Sequence, residues 1–460
     1  MAWPRKDRAR ARSALIALAL LCAVQASCAE TTPVEFSIRA SDEENPLRGA
    51  TSVSIGLERS RLLMSETEAF YPPDTEYLEL PRAPLGPDYR FRLGVYDDAI
   101  LLARARSLEF EVSELGITGS TGVFIAPLGR FVSRALSFPA APRAAVPSPL
   151  GLIAALEDGS VVELRVHEPE PLSPILPRGS ALEAWAIGER LLIRLGDERV
   201  ALVGREGIVD VIRDRRLRSH LLARAVYDEA GGHVYLIGGT RGSRQISRIA
   251  INGETFGELE ALADLERSRE HAETLLFRGL DGSIAIVVAG GFDERGRFQD
   301  DLLALDLAGG AHLKIDMPEG CSLFGATVTP GEYMQLLVAG GRREESVSDE
   351  VQLLILNPRA EPHLELITPA PAALHIARER ASSLSWASGL HLIYGGFNAA
   401  GEYEARAELI DLREIPGSTA PTGALPLEFE PTIALLLGDG SIFMSDGDQS
   451  AGYTPPRAYD

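Results

Sequence analysis

The chain is short of cysteine, tryptophan and positive charge, and each shortage removes a class of protein. Only Cys22, Cys28 and Cys321 occur in 460 residues. Cys22 lies inside an apolar leader and Cys28 at its end, so Cys321 stands alone in the body and no disulfide framework is available. Stability must come from core burial, which a chain of this length supplies. Cys321 reads as a buried apolar thiol, since no motif supports the alternative of a nucleophile. Lys and Arg number 45 against 66 Asp and Glu, a net charge of −21. Phosphate recognition along a polynucleotide needs a basic footprint, so nucleic acid is excluded as a partner. The eight histidines (167, 220, 233, 271, 312, 363, 375 and 391) stand at no metal-ligand spacing. No serine-nucleophile elbow, zinc-protease helix or phosphate-loop motif occurs. No metal, no cofactor and no catalytic residue are assigned.

The N-terminus reads as a targeting segment. Arg5, Lys6, Arg8, Arg10 and Arg12 precede an apolar run of 11 residues, Ala14 to Val24. That run is too short to span a bilayer and suits a secretion signal. Two processing readings stay open. Val24-Gln25-Ala26 fits cleavage after Ala26. Ala26-Ser27-Cys28 resembles the bacterial lipobox, in which the cysteine carries lipid, with Gln25 departing from the usual aliphatic residue. The lipoprotein reading is favoured: residues 1–27 a signal peptide, Cys28 lipidated, 28–33 a tether. Removing 1–27 leaves 40 basic and 65 acidic residues, a net −25. Membrane attachment is then by the N-terminal lipid only. The expected location is the outer membrane of the cell envelope, the alternative a soluble periplasmic or secreted form.

Residues 34–115 carry short alternating strands: Val34-Glu-Phe-Ser-Ile-Arg39, Thr51-Ser-Val-Ser-Ile-Gly-Leu57, Tyr89-Arg-Phe-Arg-Leu-Gly-Val-Tyr96 and Ser107-Leu-Glu-Phe-Glu-Val-Ser113. Turn signals separate them, which predicts a small Ig-like β-sandwich. Gly116-Ile-Thr-Gly-Ser-Thr-Gly122 reads as a glycine-rich linker, since no Gly-Lys-Ser/Thr follows to make it a phosphate loop.

From residue 120 to 460 one element recurs, a strand, a tight turn and a second apolar strand. Its best copies end in a glycine pair: Gly238-Gly239, Gly290-Gly291, Gly340-Gly341 and Gly395-Gly396, at steps of 52, 50 and 55 residues. Further hairpins turn at Asp158-Gly159, Gly188-Glu189 and Asp439-Gly440. A third strand follows each pair, for example Asp301-Leu-Leu-Ala-Leu-Asp-Leu307. A period near 50 residues of this kind is the signature of a β-propeller, one sheet per repeat. Seven hairpins favour seven blades. The first two turns lie only about 30 residues apart, which leaves six open. Closing the ring removes the two apolar edges an open array would expose.

The repeat is similar to the kelch repeat, in which a hairpin ends in a double glycine and a third strand follows. Two hairpins also follow basic segments of the kelch kind, Arg267-Ser-Arg-Glu-His-Ala272 and Arg378-Glu-Arg-Ala381, with Arg224-Ala225 as a third. The tyrosine and tryptophan usual later in that repeat do not recur, the mature chain holding only Trp185 and Trp386. The resemblance implies a propeller whose inner strands open near Arg224, Arg269, His271, Arg378 and Arg380. These residues would reach a ligand at the channel mouth or, alternatively, make interblade hydrogen bonds. Kelch-like propellers include copper oxidases and sugar mutarotases. Oxidase chemistry would need a Cys–Tyr cofactor and paired histidines, and here Cys321 is the only body cysteine, with Tyr333 the nearest tyrosine in sequence.

Asp293-Glu294 with Asp300-Asp301, and Asp446-Gly447-Asp448, lack calcium-loop spacing and read as solvated turns. Arg213-Asp-Arg-Arg-Leu-Arg218 is the most basic run of the repeat region and reads as an exposed interblade loop.

The expected function is a non-catalytic binding or scaffold protein of the bacterial envelope, a monomer that presents loops to a protein or glycan. The alternative is a carbohydrate-active propeller enzyme of mutarotase or lyase type. For the anchor, Cys28→Ala should move the protein from the membrane to the soluble fraction. Persistence of the variant in washed membranes would refute lipidation.

Overall fold

A computed structural model describes residues 31–32, 38–40, 45–59, 62–73, 83–113, 116–119, 122–134, 136–149, 151–166, 172–196, 198–221, 223–239, 242–262, 264–269, 272–278, 284–307, 312–316, 324–329, 335–343, 346–356, 364–366, 372–387, 390–412, 418–421 and 429–455. The expected signal segment, Cys28, Cys321 and the turns before the second, third and fourth glycine pairs lie outside them. The chain divides into two compact units, one built on Pro46–Ile125 and the other on Ala126–Asp460.

The first unit does not confirm the Ig-like sandwich. Eight of its strands join in one sheet, and Thr31–Thr32 pairs separately with Ala83–Pro84. The reason is the long strand Gly86–Asp97, which serves two partners on one edge. Its C-terminal half pairs with Ile100–Arg106 and its N-terminal half with Phe110–Ser113. Ile55, Phe91, Leu93, Val95 and Phe110 form the core, with the rings of Phe91 and Phe110 stacked at 5.1 Å. The expected linker begins as a strand instead: Gly116–Gly119 pairs with Phe110–Ser113.

The second unit is a seven-bladed β-propeller. Each blade is a four-stranded antiparallel sheet, and blade 5 adds the short strand Ala372–Ala373. The inner strands of blades 1 to 7 are Pro142–Ser148, Glu183–Ile187, Arg224–Asp228, Glu273–Arg278, Gly325–Thr329, Ser382–Ala387 and Ile433–Leu436. Each contacts the next, and the seventh contacts the first, so the ring is closed. Closure is made by exchange. Phe131–Arg134, from the start of the unit, is the outer strand of blade 7 and pairs with Ser450–Tyr453, from its end. Ser450 Oγ donates to the Leu136 carbonyl at 2.7 Å and locks the seam.

Core burial follows the radial plan. Every pair of neighbouring blades encloses its own apolar cluster, seven in all among the described residues. A blade therefore buries both faces, and its central strands read as continuous apolar runs. Gly151–Leu156 is buried throughout: Leu152, Ala154 and Leu156 pack toward blade 7, Ile153 and Ala155 toward blade 2. At two hairpins an aspartate holds the bend. Asp158 Oδ1 accepts the Ser160 N–H at 2.9 Å, and Asp439 Oδ1 the Ser441 N–H at 2.8 Å.

The glycine pairs are sites of close approach. A Cβ on Gly239 would lie 2.0 Å from the Ser219 carbonyl oxygen, and one on Gly340 2.3 Å from that of Arg378. The segment leading into an inner strand thus presses on a pair, and buried polar side chains from these segments bind the pairs. Arg269 donates to the Gly290 carbonyl at 3.1 Å and pairs with Asp301. Arg378 donates to the Gly395 carbonyl at 3.2 Å and to Glu408 at 2.6 Å. His220 takes the same part in blade 3: Nδ1 lies 3.0 Å from the Gly238 carbonyl and Nε2 2.8 Å from Ser247 Oγ. Each stands four residues before its inner strand. The third member of this series is His220, not Arg224. The Gly341 N–H also donates to the Arg378 carbonyl at 2.8 Å, so Arg378 joins the pair of blade 5 to that of blade 6.

Removing one partner of a buried ion pair strands the other. Arg378 and Glu408 have side chains 0% and 1% exposed. Arg378→Ala should cost about 3–5 kcal/mol. Arg269→Ala should cost less, because Lys314 Nζ still lies 3.4 Å from Asp301. Urea unfolding of both variants measures this, and equal losses would refute it.

Candidate binding site at the channel mouth

The first residues of the seven inner strands ring the end of the channel at which the glycine pairs lie. Blades 7 and 1 place buried apolar residues there, Ile433 and Pro142. In blade 2, Glu183 is held by the buried Arg194 at 2.7 Å. Blades 3 to 6 place Arg224, Glu273, Gly325 and Ser382. The Arg224, Glu273 and Ser382 residues are exposed. Gly325 contributes no side chain, and a Cβ there would lie 3.0 Å from the Ala381 carbonyl. The result is a polar arc carried by blades 3, 4 and 6 and interrupted at blade 5 by buried backbone.

Glu273 keeps contact with water, yet protein surrounds it on most sides, as a channel wall does. That desolvation raises its pKa, and the charge of Arg224 opposes the rise. Tyr394, the cross-strand partner of Ser382, reaches into the same field. Burial pushes its phenol up to about 12, against a hydrogen bond with Ser382 and with help from the charge of Glu273. Arginine, carboxyl and hydroxyl thus stand at one mouth, with the buried Tyr394 phenol behind Ser382. They can donate to and accept from a hydroxyl-rich or peptide-like ligand.

The residues expected at this mouth divide into three groups. Arg224 is there, as is Arg380, which is exposed and stands two residues before Ser382 with φ 56°. Arg269 and Arg378 are not available to a ligand. They lie before the inner strands rather than opening them, and are buried in the interblade contacts described above. His271 lies outside the described residues. Glu273 and Tyr394 were not expected. The fixed four-residue offset from Arg269 and Arg378 to the inner strand marks Glu273, while nothing in the local pattern marks Tyr394.

His220 is kept neutral by burial, with its pKa lowered to about 4, and the nearby Arg194 lowers it further. The acidic turns divide: Glu294, Asp300 and Asp448 are exposed, as expected of solvated turns, whereas Asp293 and Asp301 are buried and engaged. Asp293 is 2% exposed and accepts the N–H groups of Arg295 and Arg297 and the Arg297 guanidinium, which hold its pKa near 2. Asp446 accepts two N–H groups of its own turn, those of Asp448 and Gln449. Among the described residues no cluster of three His, Cys, Asp or Glu is placed to hold a metal. A recess of about 640 Å³ at the opposite end of the inner strands is lined by Ile187, Val209, Tyr227 and Glu254. Its arginines are engaged, Arg190 with the Gly253 carbonyl at 2.7 Å and Arg205 with Glu163 at 3.2 Å.

No protein-family profile matches this chain, and no curated protein sequence does. Solved structures do resemble it. One is that of YjhT, at 13% identity and a TM-score of 0.38, covering 62% of this chain and 99% of that one. A fungal alcohol oxidase in complex with copper aligns at 13% identity and a TM-score of 0.40, covering 72% and 77%. Hydrazine synthase of Kuenenia stuttgartiensis aligns at 11% identity and a TM-score of 0.43, covering 69% and 97%.

A carboxyl whose pKa is raised by folding contributes stability below its ordinary value of 4.5, and that contribution is lost as pH rises through the raised value. Glu273→Gln cannot ionise. Its melting temperature relative to the parent should therefore climb between pH 4.5 and neutrality. An offset that stays constant across that range would contradict the raised pKa of this carboxyl.

Proposed function

We propose that this chain is a binding or scaffold protein of the bacterial envelope, held by lipid on Cys28, whose channel mouth receives a polar ligand, a glycan or a protein loop. One observation carries the reading: Arg224, Glu273 and Ser382 stand exposed at corresponding positions of blades 3, 4 and 6. The neighbouring Arg269 and Arg378 are consumed by the fold, whereas these three are not buried in it. A charged donor, a charged acceptor and a hydroxyl on one rim suit a ligand rich in hydroxyl or amide groups.

A second reading is a carbohydrate-active enzyme at the same mouth. The raised pKa of Glu273 favours it, since a carboxyl kept protonated longer than usual can act as a general acid.

A glycan array and a peptide display screen on the purified protein should yield a ligand whose affinity falls about tenfold or more in Arg224→Ala and in Glu273→Gln, the loss of one charge-assisted hydrogen bond. Ligands that bind both variants at parental affinity would remove the channel mouth from the proposal. Turnover of a sugar anomer or uronide, abolished by Glu273→Gln, would replace binding by catalysis.

A further inference from the structure

Blade 2 carries a feature at odds with the charge of the protein. A cleft of about 610 Å³ opens beside its outer strands and is lined by Arg199, Arg213, Arg215 and Arg218 around a single described carboxylate, Glu198. The whole chain bears a net charge of −21, so four guanidinium groups on one wall are a local inversion of its field. Asp197 lies outside the described residues. Counted by charge alone, it still leaves the arginines two in excess.

The arrangement is held in place. Glu198 has a side chain only 16% exposed; it pairs with Arg218 and lies 3.6 Å from Arg213, so one sunken carboxylate fixes two guanidinium groups. Arg199 donates to the Leu195 carbonyl at 3.0 Å, which anchors one edge of its fork. Arg215 and Arg218 ride on the 3-10 helix Arg215–His220, whose start is capped by Asp214. Asp214 accepts the Arg216 N–H at 2.8 Å and the Arg216 guanidinium at 2.6 Å. The carboxylate that would otherwise quench the cleft is thus committed to a residue outside it. Among the described residues Arg215 has no ion pair.

We propose that this cleft binds a phosphate group. Guanidinium forks match the oxygens of phosphate in pairs of parallel hydrogen bonds, and several forks at one place suit a group of more than one negative charge. The site is separate from the channel mouth, and the proposal does not rest on the function argued there. The phosphate belongs either to a free phosphate ester or to a lipid headgroup.

The test uses the purified protein at low salt, with Cys28→Ala in every form so that no N-terminal lipid contributes to flotation. Calorimetry with pyrophosphate, and flotation with vesicles of phosphatidylglycerol or of phosphatidylcholine alone, are run on the parent, on Arg213→Ala/Arg215→Ala, on Arg213→Lys/Arg215→Lys, and on Arg178→Ala as an exposed arginine elsewhere. Saturable binding of pyrophosphate, weakened about tenfold or more in both double variants and unchanged in Arg178→Ala, is the expected result. Flotation only with the anionic vesicles, lost in the same variants, assigns the phosphate to a headgroup. Pyrophosphate binding without flotation assigns it to a free ester. The proposal is overturned by absence of saturable binding in both arms, or by binding that the double variants retain. The side chain of Arg213 is 76% exposed and Arg215 is exposed as well, so the substitutions leave the core untouched.

Discussion

Everything in the propeller hangs on a backbone carbonyl that must be satisfied where two blades meet. A glycine pair lets the chain turn out of its second strand with positive φ and lets the next segment press against it. That closeness shuts water out, so the exposed carbonyl of the first glycine needs a protein donor. Arg269, Arg378 and His220 provide it at Gly290, Gly395 and Gly238. Arg194 extends the chain of contacts, donating to the His220 carbonyl at 2.7 Å from a blade that lacks the glycine pair. Burying a guanidinium costs several kcal/mol unless carbonyls and a carboxylate surround it. Here they do, and the same bonds fix the spacing between blades.

This constraint separates two kinds of arginine that look alike in a list. The cations four residues ahead of an inner strand belong to the fold. The residue that opens the strand is free of that duty and faces the channel mouth. Function at that mouth therefore varies independently of the contacts that hold the blades together. Loss of Arg224 would leave the glycine-pair contacts intact, whereas loss of Arg378 would strand Glu408.

The architecture was legible because it is periodic. Glycine pairs at steps near 50 residues, Asp-Gly bends and third strands beginning at Asp301 or Glu350 all appear where the repeat demands. Seven blades rather than six also follow, once Phe131–Arg134 is seen to complete the last blade, a pairing between residues over 300 apart that no local pattern carries. The first unit was less legible. Alternation marks its strands, but whether they make two sheets or one depends on Gly86–Asp97 changing partners midway. The site was legible only in part. Basic residues near the inner strands were visible, yet their fates differ by a few positions, and a one-residue step along a strand turns a side chain to the other face. His220 escaped notice because it does the work of an arginine with different atoms. Tyr394 escaped because its neighbours Ser382 and Glu273 come from strands far apart in the chain.

The mouth is also asymmetric, and the closure explains why. Blade 7 contains the seam where the two ends of the propeller chain meet and blade 1 packs beside it, and both put apolar residues at the rim. Phe138, Leu152, Ile433 and Phe443 share one cluster across that junction. A charged residue opening the inner strand there would have to be desolvated beside the cluster that helps hold the ring shut. Blades 3 to 5 lie away from the seam, blade 6 packs on it through Leu390, Leu392 and Tyr394 against Phe131 and Tyr453, and Arg378 joins the glycine pairs of blades 5 and 6. There the rim can carry Arg224, Glu273 and Ser382 without weakening closure. A ligand at this mouth would thus be gripped from one side, and its specificity would come from the order arginine, carboxylate, hydroxyl around the rim rather than from any sevenfold feature of the fold.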